Sequence, residues 1–256
     1  MLPHEAIAAT IRAASARGAP ALVAFLTAGF PDRARFAQDL AAIDEAADLI
    51  EIGVPFSDPM ADGMTIQRAS RVALEQGASL GWILAELTAL AARPRAPLLL
   101  MSYLNPLLAH GIARLPADAR RAGVSGFIVP DLPYEECGEL RAAFDGEGLA
   151  LVQMVTPVTP PSRAAMLARE SRGFVYAVMM TGTTGRDVAV PDAVLDYLDG
   201  VRRSSPLPVC AGFGIRHAAQ VTRLAAHADG VIVGSALIEA LERGDDPAAF
   251  LAALRR

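Results

Sequence analysis

The chain contains no lysine; all 23 of its basic residues are arginine. Schiff-base chemistry with a substrate carbonyl or with pyridoxal phosphate therefore has no nucleophile here. Histidine is scarce as well. His4, His110, His217 and His227 show no close metal-ligand spacing, which disfavours a metal-assisted aldol enzyme and leaves no metal expected. Cys137 and Cys210 are too few and too far apart for a zinc site or a disulfide framework, and read as reduced, buried small hydrophobes. A mean hydropathy of +0.34 comes largely from alanine spread through helices, and no apolar run approaches the roughly 18 residues of a spanning helix. The opening residues Met1 to Glu5 lack the basic start and apolar core of a secretory signal, so a cytoplasmic protein without a membrane role is expected. Net charge of -5 gives no basic footprint for nucleic acid, and Arg120-Arg121 and Arg202-Arg203 read as solvated helix faces. No Gly-x-Gly-x-x-Gly pattern follows the first apolar run, which argues against a dinucleotide fold. If this chain breaks bonds, carboxylates are the natural candidates.

What is present centres on the stretch from Asp48 to Gln67. A short apolar run ends at Glu51 and Ile52 and breaks into a loop holding Gly53, Pro55, Asp58, Pro59, Asp62 and Gly63. That is the pattern of a buried strand ending in a shaped loop. Glu51, flanked by Ile50 and Ile52, must be hydrogen-bonded or titrate abnormally, because an unpaired buried charge is costly. Asp62 follows eleven residues later, and two acids at different depths can have their pKa values pushed apart, one acting as a base while the other stays ionised. Each acid alone has a plainer reading: Glu51 as a structural acid satisfied by backbone donors, Asp62 as a helix cap before Gly63.

Along the chain, apolar runs alternate with helical patterns. An amphipathic helix is expected over residues 3–17, with Ile7, Ile11 and Ala14 on one face. Strands are expected at 21–26, 47–52, 96–103, 126–129, 149–155, 174–179, 208–211 and 230–233, and helices at 69–76, 80–92 and 246–254 among others. Asp32 can cap the helix after the first strand. At 256 residues, eight buried strands each followed by a helix fit one (β/α)8 barrel domain, residues 1–256, with an extra N-terminal helix and long loops after strands 2 and 6. Both loops leave from the C-terminal ends of the strands, where barrel active sites lie. After strands 7 and 8 come Gly212-Phe213-Gly214-Ile215 and Gly234-Ser235-Ala236. Glycines there let backbone N–H groups approach an anion, each turn is expected to open a helix, and barrels commonly bind phosphate at this place.

The segment Glu51 to Gln67 closely resembles the signature E-x-G-x-P-F-S-D-P-x-A-D-G-P-T-I-Q of the tryptophan synthase alpha chain family, with Met64 where proline is usual. Gly212-Phe213-Gly214-Ile215 and Gly230 to Ala236 resemble that family's G-F-G-I and G-V-I-V-G-S-A. Thr181-Gly182-Thr183-Thr184-Gly185-Arg186 resembles its mobile lid, with Met179 in place of serine and Thr183 in place of valine. Thr27-Ala28-Gly29, Tyr103-Leu104-Asn105-Pro106 and Pro130 to Glu136 extend the likeness over nearly the whole chain, in order.

The resemblance implies a lyase of tryptophan biosynthesis. Its reaction would be the retro-aldol cleavage of indole-3-glycerol phosphate to indole and glyceraldehyde 3-phosphate, with no cofactor. It implies Glu51 and Asp62 as the catalytic pair. Phe25, Tyr103, Ile128, Met154 and Tyr176 would line an indole slot together with Phe213, and Thr184 would touch Asp62 when the lid closes. Gly185, Phe213, Gly214, Gly234 and Ser235 would hold the phosphate. It also implies a pyridoxal-dependent beta subunit as partner, in an alpha2beta2 tetramer, meeting the loop around Pro55 and Asp58 and the segment near Asn105 and Pro133. Three other readings stay open. One is a stand-alone lyase that releases free indole, and another a weakly catalytic barrel that binds phosphate and acts as an activating partner. The third, a phosphosugar isomerase, is disfavoured by the missing lysine and the match around Asp62.

Overall fold

The computed structural model describes residues 1–179, 190–212 and 214–255. Strands β1 (Ala21–Thr27), β2 (Leu49–Gly53), β3 (Leu98–Met101) and β4 (Val124–Ile128) are followed by β5 (Ala150–Val155), β6 (Val175–Val178), β7 (Val209–Gly212) and β8 (Gly230–Val233). All pair in parallel in chain order, and β8 closes on β1. Helix α1 (Pro3–Ala16) precedes the barrel; α2 (Phe36–Asp44) follows β1, and α3 (Met64–Glu75) and α4 (Leu80–Ala89) follow β2. Next come α5 (Leu104–His110), α6 (Leu115–Arg121), α7 (Gly138–Gly146) and α8 (Pro161–Glu170). The ring ends with α9 (Asp192–Ser204), α10 (Ala218–Leu224), α11 (Ser235–Arg243) and α12 (Pro247–Ala253). The architecture is the expected (β/α)8 barrel with an added N-terminal helix.

Strand side chains alternate between two cores, as a two-residue period requires. Leu22, Ala24, Ile50, Ile52 and Leu100 face the helices, whereas Val23, Leu49, Leu99, Ile128 and Ile232 fill the barrel interior. Each fully buried aliphatic of this kind stabilises the fold by about 1.5–3 kcal/mol. Ile7, Ile11 and Ala14 of α1 pack into the inner core beside Ala21 and Leu49, so α1 plugs the N-terminal end of the barrel. The opposite end is left for chemistry. Asp48, at the plugged end of β2, is occupied structurally: its carboxylate accepts from the Leu22 N–H at 2.8 Å and pairs with Arg255 at 2.6 Å.

Residues 54–63 form the long loop between β2 and α3. Helix α3 starts at Met64, five residues before the expected start, so Thr65, Ile66 and Gln67 form its first turn rather than loop. Asp32 caps, through the Ala34 N–H at 2.9 Å, a short 3-10 turn at Arg33–Arg35 that leads into α2. The long connection after β6 covers residues 179–191, of which 180–189 lie outside the described residues. No helix among the described residues is long and apolar enough to cross a membrane.

Candidate active site

Glu51 lies in register between Phe25 of β1 and Leu99 of β3, two residues from Leu49 and on the same inward face. Its neighbours in sequence, Ile50 and Ile52, point the other way into the helix layer, so the barrel interior and not those isoleucines desolvates it. Its exposure is 0%, and neither carboxyl oxygen has a hydrogen-bond partner among the described residues. Among the described residues no backbone donor satisfies it, as a structural acid would require. Burial pushes its pKa from 4.5 up to about 8, because a carboxylate there would lose its hydration without compensation. At neutral pH the group is mostly a neutral acid, able to donate a proton.

Asp62 stands at the end of the long loop, half-buried. Its side chain does not cap α3, whose N-cap is Gly63 with no side-chain hydrogen bond. Desolvation raises its pKa from 3.8 to about 6, partly offset by a hydrogen bond from the Tyr103 hydroxyl. That hydroxyl also accepts from the Ala61 N–H at 2.9 Å, while the Tyr103 ring stacks on Phe56 with centroids 5.2 Å apart. From the other side the Gln67 amide donates to the Asp62 carbonyl at 2.9 Å. Tyr103, at the turn between β3 and α5, and Gln67 of α3 thus hold Asp62 in place. The two acids ionise about two pH units apart, the separation that assigns one as acid and the other as anion near pH 7.

Both carboxyls open on one cavity, whose lining includes Phe25, Tyr176, Gly214, Gly234 and Ser235. Two glycines make room for its aromatic walls. A Cβ on Gly53 would stand 2.5 Å from the Phe25 ring, and one on Gly212 would stand 2.5 Å from the Tyr176 hydroxyl. Ser235 is the first residue of α11, where backbone N–H groups have no intrahelical acceptor and the helix dipole favours an anion. On the β7 side three residues separate Gly214 from α10, so the expected helix start is missing there. Gly214 itself has φ of +83°, a left-handed turn that suits glycine.

Not all candidate residues meet here. Tyr103 lies behind Asp62, in a smaller space shared with Thr27, Ser70 and Ser102. Ile128 is 0% exposed within the inner core, and Met154 borders a separate cavity with Asp131 and Tyr134. Thr184, Gly185 and Phe213 lie outside the described residues. Sequence reasoning missed Ile66, Met101, Ile215, Arg216 and Ile232, which also line the cavity. Ile232 could have been found from inward alternation along β8, and Ile66 from an earlier start to α3.

A (β/α)8 barrel with two unevenly titrating acids and an anion-suited helix start lining one cavity defines an acid–base barrel enzyme. The family model described as tryptophan synthase alpha chain matches residues 11–255. A tryptophan synthase alpha chain from Desulfovibrio desulfuricans is 49% identical over 245 residues, covering 94% of this chain and 96% of that protein. Among solved structures, tryptophan synthase from Mycobacterium tuberculosis superposes with a TM-score of 0.88 at 34% identity, covering 98% of each chain. A tryptophan synthase a2b2 complex from Pyrococcus furiosus gives 0.84 at 36% identity, covering 92% of this chain and 96% of that one. The chain belongs to the tryptophan synthase alpha chain family, whose members are lyases.

Proposed function

We propose that Glu51 and Asp62 carry the family's reaction, cleavage of indole-3-glycerol phosphate to indole and glyceraldehyde 3-phosphate. Glu51, neutral at pH 7, donates its proton to ring carbon C3, and the ring becomes a cation. Asp62, ionised above about pH 6, accepts the indole N–H and stabilises the positive charge that collects at that nitrogen. The bond from C3 to the hydroxyl-bearing carbon then breaks, its electrons returning to the ring. The Glu51 carboxylate takes the hydroxyl proton as the aldehyde forms, so the acid is regenerated and no net proton is consumed. In this reading the indole ring lies against Phe25 and Tyr176, and the phosphate at Gly234 and Ser235, beside Gly214 on the loop after the neighbouring strand β7. Thr184, Gly185 and Phe213 keep the roles the family resemblance gives them.

The observation that carries this reading is a wholly buried carboxyl without a hydrogen-bond partner among the described residues, sharing one cavity with Asp62 and the start of α11. A buried group left so costly points to a catalytic task. The P. furiosus relative is a tryptophan synthase a2b2 complex, and assembly with a beta subunit is proposed here too, in the cytoplasm. Loop 54–63 ends its outward face with Met60, 85% exposed, an apolar side chain suited to such a contact. The test is incubation of the purified chain with indole-3-glycerol phosphate, with and without a beta subunit. Indole release that rises on adding the beta subunit is expected. Full turnover by the chain alone with no gain would favour the stand-alone lyase, and tight ligand binding without cleavage the activating partner.

A further inference from the structure

Arg216 is the one cation lining the Glu51–Asp62 cavity among the described residues, and the retro-aldol scheme leaves it idle. Without Arg216, a phosphate dianion entering this mouth would approach Asp62 with only partial charges from backbone N–H groups to meet it. We propose that Arg216 reads the substrate phosphate, held by Glu239 when no substrate is bound and turned onto the dianion when it arrives. This inference rests on the reading that the cavity takes a phosphorylated substrate.

The local geometry fits such a transfer. The backbone of Arg216 is pinned: its N–H donates to Gln220 Oε1 at 2.7 Å, and Gln220 Nε2 donates to the Gly214 carbonyl at 3.1 Å. The side chain is half-buried, and Glu239 engages two of its donors, Nη1 at 3.4 Å and Nη2 more closely. A guanidinium has five donors in a planar fork, so the remaining ones suit a phosphate. Glu239 is four residues after Ser235 on α11, hence on the same face and one turn, about 5–6 Å, below the proposed phosphate position. Rotation of a long side chain spans that distance without moving the backbone. Glu239 keeps a partner after the transfer, because Thr65 Oγ1 of α3 donates to it at 3.4 Å. The arrangement selects a phosphate monoester over an uncharged polyol by its charge.

Calorimetric titration of the full chain with indole-3-propanol phosphate and with indole-3-propanol separates the cases. Arg216→Gln should weaken the phosphate ester about tenfold or more, the effect of losing a charge-assisted hydrogen bond, and leave the alcohol unchanged. Arg216→Lys should restore part of the loss. Glu239→Gln should tighten the ester severalfold, since it releases the guanidinium and removes a like charge. Equal weakening in Arg216→Gln and Glu239→Gln would mean that the pair only clasps the loop to α11, and would overturn the proposal, as would an unchanged Arg216→Gln. If wild type binds ester and alcohol alike, the phosphate reading of the cavity itself falls. Should Arg216→Gln not fold, a loss in Arg216→Lys set against a gain in Glu239→Gln makes the same distinction.

Discussion

Replacing Glu51 by glutamine should change the pH dependence of folding in the direction opposite to that of a salt-bridged carboxylate. In the folded chain the group titrates at about 8, against 4.5 ordinarily. Between those values the folded state holds a proton that the unfolded state has released, so stability falls as pH rises, by up to about 1.4 kcal/mol per pH unit. The contribution is complete below pH 4.5 and lost once the pH passes about 8. Integrated from pH 5 to 7.5, the loss specific to Glu51 is about 3 kcal/mol, undiminished by solvent because the side chain is wholly buried. Glu51→Gln abolishes this titration. Any fixed cost of burying an amide is independent of pH and cancels in the comparison. Urea unfolding of wild type and Glu51→Gln at several pH values in that range should show the variant gaining about 3 kcal/mol on wild type across it. A difference that stays flat with pH would refute the reasoning, because Glu51 would then not be held neutral by the fold.

The activity profile of kcat/KM should be bell-shaped, rising as Asp62 ionises near 6 and falling as Glu51 loses its proton near 8. Asp62→Asn should remove the rising limb and cost at least roughly 10²-fold; a retained limb would assign it to another group. Tyr103→Phe removes both the acceptor of the Ala61 N–H and a donor to Asp62. The rising limb should therefore move to higher pH, and unchanged kinetics would show that Tyr103 does not hold the loop. Gly212→Ala places a methyl 2.5 Å from the Tyr176 hydroxyl. Thermal or urea unfolding should show a loss of about 1–3 kcal/mol, together with weaker binding of indole-3-propanol; full stability would mean that Tyr176 can move aside.

The strands were legible because each is a short, doubly buried apolar run, and every strand boundary falls within two residues of its expected place. The start of α3 is hidden in the sequence because its first turn, Met64 to Gln67, has no capping side chain and follows a glycine- and proline-rich loop. Glu51 and Asp62 stood out by residue type and position, but the reason for the burial of Glu51 did not. Adjacent residues in a strand face opposite ways, so the neighbours that matter come from other strands. The same limit explains Ile128 and Met154. Inward direction can be read from alternation, whereas depth along the barrel axis depends on register, which pairs Phe25 with Glu51 and Met101 with Ile128. Arg216 carried no signal, because a lone arginine after a glycine turn looks like any solvated charge until α11 brings Glu239 alongside.

The most direct test of the catalytic assignment is a structure of the Glu51→Gln variant with intact indole-3-glycerol phosphate bound. The account predicts the indole nitrogen within hydrogen-bond reach of Asp62, ring carbon C3 and the adjacent hydroxyl facing residue 51, and the phosphate at Gly234 and Ser235. Substrate bound with its nitrogen turned away from Asp62, or with its phosphate outside the start of α11, would contradict it.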